Sequence, residues 1–240
     1  MTNDSKILAE RERLLKKAKE ANGKTVGEID STNFLSNPKN KGRVGQVIQI
    51  YHGKNPDNDP GADFPEADLE LKATGLLSRQ QDKKAKKADE EQPSYRAKER
   101  LVLHNINYVK DHDVSFEESG LLKKCETMLI SCYQYLPSEV PGQAPNYRSF
   151  PIIDSFIYQL TEADKKVIKD DYDTIFEKIN SGHAEDISES DTNYLAACTK
   201  SSDSHVRVTY ILKQTIMNGW PSIHNRAPKQ RYNVWEKLMG

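Results

Sequence analysis

The most informative pattern in this chain lies in residues 63–74, which read Asp63-Phe64-Pro65-Glu66-Ala67-Asp68-Leu69-Glu70-Leu71-Lys72-Ala73-Thr74. From Asp68 onward polar and apolar residues alternate, which is the period of a half-buried strand, and we predict a strand over 66–74. Glu70 and Lys72 then point to the same side, roughly 6 to 7 Å apart. A neighbouring strand can bring the Asp63 carboxylate alongside. Two converging carboxylates and an amine predict a site for a hard divalent cation and a water nucleophile.

The bulk composition fits one large domain or two small lobes, with a strongly polar surface. Of the 240 residues, 36% are hydrophobic and 30% are charged, and the net charge is −1. This charge does not decide for or against nucleic acid, because a DNA enzyme needs only a local basic surface. Residues 200–237 contain seven Lys or Arg against two acidic residues. This basic segment suits either phosphate binding or ordinary solvated surface.

The chain lacks the apolar segments that membrane spans and signal peptides require. Its three cysteines, Cys125, Cys132 and Cys198, are an odd number without metal-ligand spacing. We therefore expect reduced, mostly buried thiols in a cytoplasmic protein.

Hydrophobic periodicity and turn residues predict a mixed α/β domain. The predicted helices cover 5–22, 42–53 and 161–181, and the predicted strands cover 66–74, 100–108, 127–135, 152–158 and 194–198. The third helix has the clearest signals, because Thr161 can cap its start and Gly182 can end it. Residues 79–93 are dense in charge and are predicted to form a loop.

Residues 63–74 closely resemble the active-site strand of the MutH family, which comprises the mismatch-repair nickase MutH and the Sau-type restriction endonucleases that cut at GATC. Further similar segments follow in chain order, at 45–53, 98–108, 122–124, 188–200 and 229–231. Residues 98–108 look like the Sau-type enzymes in particular. The resemblance implies a restriction-endonuclease-like fold (PD-(D/E)xK), with a mixed central sheet flanked by helices and a MutH-like two-lobed cleft.

The resemblance also implies how the chain is organised. Residues 1–240 would form a single MutH-like endonuclease domain. Its helical N-terminal lobe would cover about 1–55, its catalytic sheet about 60–182 and its C-terminal DNA-recognition arm about 183–240.

The resemblance implies roles for the residues of the active-site strand. Asp63, Glu70 and the backbone carbonyl of Leu71 would hold Mg²⁺, for which Mn²⁺ substitutes. Lys72 would orient or deprotonate the attacking water, or stabilise the reacting phosphate, and Lys124 would also contact the phosphate. Asp63, Glu70, Lys72 and Lys124 are therefore the candidate catalytic residues.

Other candidate residues lie outside this strand. Gln49 occupies the helix position where relatives carry a further acidic residue, and an amide there adds no charge for a second cation. Thr199 and Lys200 match the base-reading segment of the family. Lys229 and Arg231 match the start of its DNA-binding arm, where they would contact phosphates.

The leading functional hypothesis is a Mg²⁺-dependent type II restriction endonuclease that cuts double-stranded DNA at GATC and leaves 5′-phosphate ends. A mismatch-repair nickase is the first alternative. The second is a DNA-binding module with weak catalysis that needs another domain. Cleavage of both strands by one active site would require a homodimer on a palindromic site, a second nuclease-like half, or two successive binding events.

Overall fold

The computed structural model describes residues 2–36, 42–57, 61–78, 95–107, 114–198 and 207–212. The helices are α1 (Asn3–Lys19), α2 (Val26–Ile29), α3 (Arg43–Tyr51), α4 (Gly120–Cys125) and α5 (Glu162–Asn180). The strands are β1 (Glu70–Ser78), β2 (Tyr95–Ala97), β3 (Leu101–Asn107), β4 (Thr127–Gln134), β5 (Ile152–Gln159), β6 (Leu195–Cys198) and β7 (Arg207–Leu212). In this part of the chain, no helix is both long and apolar enough to cross a membrane.

The strands form two sheets. The larger sheet has the order β2-β1-β4-β5, in which β1 and β4 are parallel and the other pairs are antiparallel. The smaller sheet is antiparallel and has the order β3-β7-β6. A mixed sheet with helices packed against it confirms the predicted α/β class. The two-lobed cleft stays a prediction.

Both faces of the larger sheet are covered, which places β1 and β4 in the interior. One face packs on α1, α2 and α3, and Leu71 and Leu129 point to it. The other packs on α4, α5 and side chains of the smaller sheet, and Met128 and Ile130 point to it. Six consecutive residues of β4 are buried, as expected for a strand enclosed on both sides.

The predicted half-buried strand over 66–74 is wrong in its start and in its environment. Pro65–Ala67 forms a short 3-10 helix, and Asp68 has a left-handed backbone with φ of 44°. Strand β1 therefore begins only at Glu70 and continues to Ser78. Its polar residues do not face open solvent, since Glu70 is buried.

The remaining predicted elements agree closely with the structure. Helix α5 begins after Thr161, whose hydroxyl accepts a hydrogen bond from the Asp164 amide, and Gly182 follows its end with φ of 80°. Its buried apolar face contains Ile168, Tyr172, Ile175 and Ile179, at helical spacing. The predicted helices near the N-terminus and the strands at 100–108, 127–135, 152–158 and 194–198 are also present.

Some elements were not predicted. They are short, such as α2, α4 and β2, or lie within the basic segment, as β7 does. The predicted loop at 79–93 lies outside the described residues. Cys125 and Cys132 are buried free thiols, and burial raises the pKa of each to about 12.

Candidate active site

A tight turn places Asp63 beside Glu70. Phe64 and Leu69 form an antiparallel bridge, in which each backbone N–H donates to the carbonyl of the other residue. The intervening residues close the turn, helped by the left-handed Asp68, a conformation that Asp tolerates better than most residues. The spacing from Asp63 to Glu70 is therefore set by this turn, and not by a neighbouring strand as the sequence suggested.

Arg11 of α1 holds the turn from outside. Its Nε donates to the Ala67 carbonyl at 2.7 Å, and its second guanidinium nitrogen donates to the Asp68 carbonyl at 3.2 Å. These bonds satisfy two carbonyls of a segment that has no ladder partner. Helix α1 thereby supports the carboxylates without contacting them.

The two carboxylates are locked together through the backbone. Glu70 Oε2 accepts a hydrogen bond from the Asp63 N–H at 3.2 Å, and Asp63 Oδ2 accepts one from the Leu71 N–H at 3.0 Å. Burial raises the pKa of Asp63, and the nearby Glu70 charge raises it further. The Leu71 N–H, Lys72 and Lys124 act in the opposite direction. The two carboxylates therefore repel each other, and a bound cation would relieve this repulsion.

Two lysines reach Glu70 from different elements. Lys72 Nζ, on β1, lies 2.8 Å from Glu70 Oε1 and also donates to the Leu103 carbonyl of β3 at 3.1 Å. Lys124 Nζ, on α4, lies 3.4 Å from the same Glu70 oxygen. Because all three side chains are largely buried, these charges interact more strongly than they would at the surface.

Helix α3 completes the site on the Asp63 side. Gln49 Nε2 donates to Asp63 Oδ1 at 3.2 Å, which agrees with the expected position of this amide beside the carboxylates. Lys54 Nζ lies 4.0 Å from the same oxygen. Gly53, with φ of 89°, ends the helix and turns the chain so that the Lys54 N–H bonds to the Gln49 carbonyl.

Two groups of this site, Lys54 and the Leu103 carbonyl, were missed by the sequence reasoning. The helix-ending glycine before Lys54 is a signal that could have drawn attention to the lysine. A backbone carbonyl has no signal of its own in the sequence.

The donor set suits a hard divalent cation. In the described ranges, no group of three or more His, Cys, Asp or Glu could hold a metal. A cation here would therefore depend on Asp63, Glu70, the Leu71 carbonyl and waters, which are oxygen donors of the kind that Mg²⁺ prefers. The mutual repulsion of two buried carboxylates supports this fit.

The predicted DNA-contacting residues Thr199, Lys200, Lys229 and Arg231 lie outside the described residues. The structure does describe the segment that leads to the first two. The carboxylate of Asp171, on α5, accepts hydrogen bonds from three successive backbone N–H groups, at 2.8, 2.6 and 2.8 Å, which belong to Asn193, Tyr194 and Leu195. Asp171 thus fixes the start of β6, and sequence reasoning gave it no role.

Comparisons with known proteins place the chain in a family. The family model described as "DNA mismatch repair enzyme MutH" matches residues 52–171, which include both carboxylates, Lys72 and Lys124. The chain is also similar to the type II restriction enzyme Sau3AI of Staphylococcus aureus, with 35% identity over 190 residues. That alignment covers 78% of this chain and 35% of the enzyme, so the chain spans about a third of that relative's length.

Proposed function

This chain belongs to the MutH family, and from that premise we propose that it is a Mg²⁺-dependent type II restriction endonuclease. It hydrolyses phosphodiester bonds of double-stranded DNA at GATC and leaves 5′-phosphate ends. Its fold is restriction-endonuclease-like, with the mixed sheet and flanking helices described above. The observation that supports this function best is the buried Asp63–Glu70 pair, which has amines near it from β1, from α4 and from the segment after α3.

The charges of the site suit a phosphodiester substrate. Three amines, of Lys54, Lys72 and Lys124, lie beside the two carboxylates, and Lys54 also pairs with the carboxylate of Asp57 at 3.2 Å. A phosphate group entering this cluster would meet compensating charge in a poorly solvated environment. Such placement stabilises the charge that develops during hydrolysis without later rearrangement.

Asp63, Glu70 and the Leu71 carbonyl would hold the cation. When bound, Mg²⁺ supplies Lewis acidity toward a phosphate oxygen and lowers the cost of making water nucleophilic. Lys72 donates hydrogen bonds to Glu70 and to the Leu103 carbonyl. From this position Lys72 would orient the attacking water or neutralise phosphate charge.

DNA would be bound by the C-terminal arm of the proposed single domain. Thr199 and Lys200 would read bases, while Lys229 and Arg231 would contact phosphates and fix the register. The N-terminal lobe would end near residue 55 and the arm would begin near residue 183. A homodimer on a palindromic site, or a second nuclease-like half, would allow both strands to be cut.

A second function, a DNA reader with weak catalysis, is favoured by one observation. Gln49 contributes an amide where relatives carry an acidic residue, so the site has two carboxylates. Such a protein would bind GATC and depend on a partner domain for efficient cleavage. A nickase that needs an activator is the remaining alternative within the family.

Plasmid cleavage with run-off sequencing of the ends tests these functions. Purified protein is incubated with Mg²⁺ and either methylated or unmethylated plasmid. We expect linear products that end at GATC on both substrates. Nicks confined to unmethylated sites would instead establish the nickase, and specific binding without any cut would establish the reader. The Glu70→Ala variant, purified in the same way, is the control. If it does not cut, a contaminating nuclease cannot explain the cleavage by the wild-type protein.

A further inference from the structure

Strand β3 contains a bulge at Leu103. Val102 pairs with Ile211 and His104 pairs with Tyr210, so Leu103 is an extra residue without a partner in the β3–β7 register. A bulge leaves one residue out of the ladder and turns its backbone. The Leu103 side chain is buried in the core, which fixes the orientation of the segment.

The bulged residue contacts the active site through its backbone. Its carbonyl accepts a hydrogen bond from Lys72 Nζ at 3.1 Å, in addition to the 2.8 Å contact between Lys72 and Glu70. A lysine ammonium has three N–H donors. Glu70 and Leu103 take two of them, which leaves the third in a defined direction for a water or a phosphate oxygen.

The same segment also contacts the helix that carries the second lysine. Helix α4 starts at Gly120, where an added Cβ would lie only 2.8 Å from the ring of His104. A larger residue at position 120 would have to displace the His104 ring. Because α4 also carries Lys124, residues 103–104 adjoin both lysine-bearing elements.

We propose that the bulge at Leu103 is a positioning element for catalysis, which holds the Lys72 ammonium through the Leu103 carbonyl. The role in catalysis rests on the proposed nuclease function, whereas the anchoring contact does not. The bulge turns the backbone at Leu103, where the carbonyl is a second acceptor for Lys72 besides Glu70.

The anchoring contact can be read from one peptide group. Leu103–His104 is the only Leu-His pair in the sequence. Labelling with carbonyl-¹³C leucine and ¹⁵N histidine therefore gives a single signal in a carbonyl-to-amide correlation spectrum. We expect the Leu103 carbonyl shift to move in Lys72→Met and to move less in Lys72→Arg, which can still donate. Lys123→Met, an exposed neighbour of Lys124, serves as the matched control and should leave the signal in place.

The catalytic role is tested by weakening the carbonyl itself. An α-hydroxy acid with a phenylalanine side chain at position 104 turns the Leu103 amide into an ester, whose carbonyl is a poorer acceptor. The matched control is His104→Phe with a normal amide, and a second ester at position 105 controls for loss of a strand N–H. We expect kcat to fall about tenfold relative to His104→Phe, with KM and DNA affinity unchanged.

The outcomes separate this inference from the proposed function. A Leu103 signal that stays in place in both Lys72 variants overturns the anchoring, whatever the cleavage assay shows. A signal that moves while the wild-type protein cuts no DNA supports the anchoring and refutes the nuclease. Equal kcat in the ester at 104 and in His104→Phe overturns the catalytic role. If the ester protein does not fold, the shift in the Lys72 variants still decides the anchoring.

Discussion

Gln49→Glu adds a third carboxylate to the site and so tests its affinity for a cation. The Gln49 amide donates to Asp63 Oδ1 at 3.2 Å, and a glutamate there would lose that bond and face the buried Asp63 charge. Two like charges about 4 Å apart cost on the order of 4 kcal/mol at an effective dielectric constant of 20. Lys54, 4.0 Å from the same Asp63 oxygen, offsets part of this cost.

We therefore expect the cation-free Gln49→Glu protein to lose about 2 to 3 kcal/mol of stability. For a protein of this size, this corresponds to a fall in Tm of roughly 5 to 10 °C. Saturating Mg²⁺ should recover most of the loss, because a ligand that binds only the folded state stabilises it by an amount that grows with the logarithm of its concentration relative to Kd. Thermal unfolding in EDTA and in Mg²⁺, followed by circular dichroism, measures both quantities.

Gln49→Met is the matched control, since it removes the hydrogen bond without adding charge. It should lower Tm by a smaller amount that Mg²⁺ does not recover beyond the wild-type response. If Gln49→Glu loses the same stability in EDTA and in Mg²⁺, then Asp63 and Glu70 do not form a cation site and the reasoning is wrong.

Three further perturbations follow from the described contacts. Lys72→Ala should abolish plasmid cleavage and leave specific DNA binding in gel shifts unchanged to within a few-fold, and full activity would contradict the role of Lys72. Asp63→Asn should raise Tm in EDTA at neutral pH, because the raised pKa of Asp63 means that its ionisation costs stability. That advantage should shrink as the pH falls through the raised folded pKa and vanish near the unfolded value of about 3.9, and a pH-independent difference would contradict it. Asp171→Ala should lower the free energy of unfolding, measured in urea, by about 3 kcal/mol, because three backbone N–H groups lose the carboxylate that accepts their hydrogen bonds. Asp171→Asn keeps one oxygen acceptor and should lower it less. Equal losses in the two variants would exclude the hydrogen-bond explanation.

The sequence predicted the central pieces of the site because their spacing is local. Asp63, Glu70 and Lys72 fall within ten residues, and both the turn and the alternation can be recognised there. The predicted strand start was wrong because Pro65 and the left-handed Asp68 extend the turn to Leu69, a preference that alternation alone does not show. The burial of Glu70 could not be predicted either, because it depends on the elements that pack on that face of the sheet.

The parts that sequence reasoning missed depend on distant contacts. The Leu103 carbonyl lies at a bulge in the β3–β7 ladder, and this bulge depends on pairing with residues far downstream. In the sequence Asp171 is an ordinary polar residue of α5, and its role is visible only once the position of β6 is known. No local propensity encodes such contacts, because each partner is ordinary in its own segment.

The pairing of β3 with β7 also has a consequence for the order in which the protein is made. Leu101 pairs with Leu212, so this ladder joins segments roughly a hundred residues apart, and closing such a long loop is slow compared with local folding. On the ribosome, the residues around Glu70 emerge long before β7 does. Strand β3, which holds Lys72 in place, therefore gains its partner β7 late in synthesis. We expect an incomplete nascent chain not to cleave the DNA of the cell that makes it.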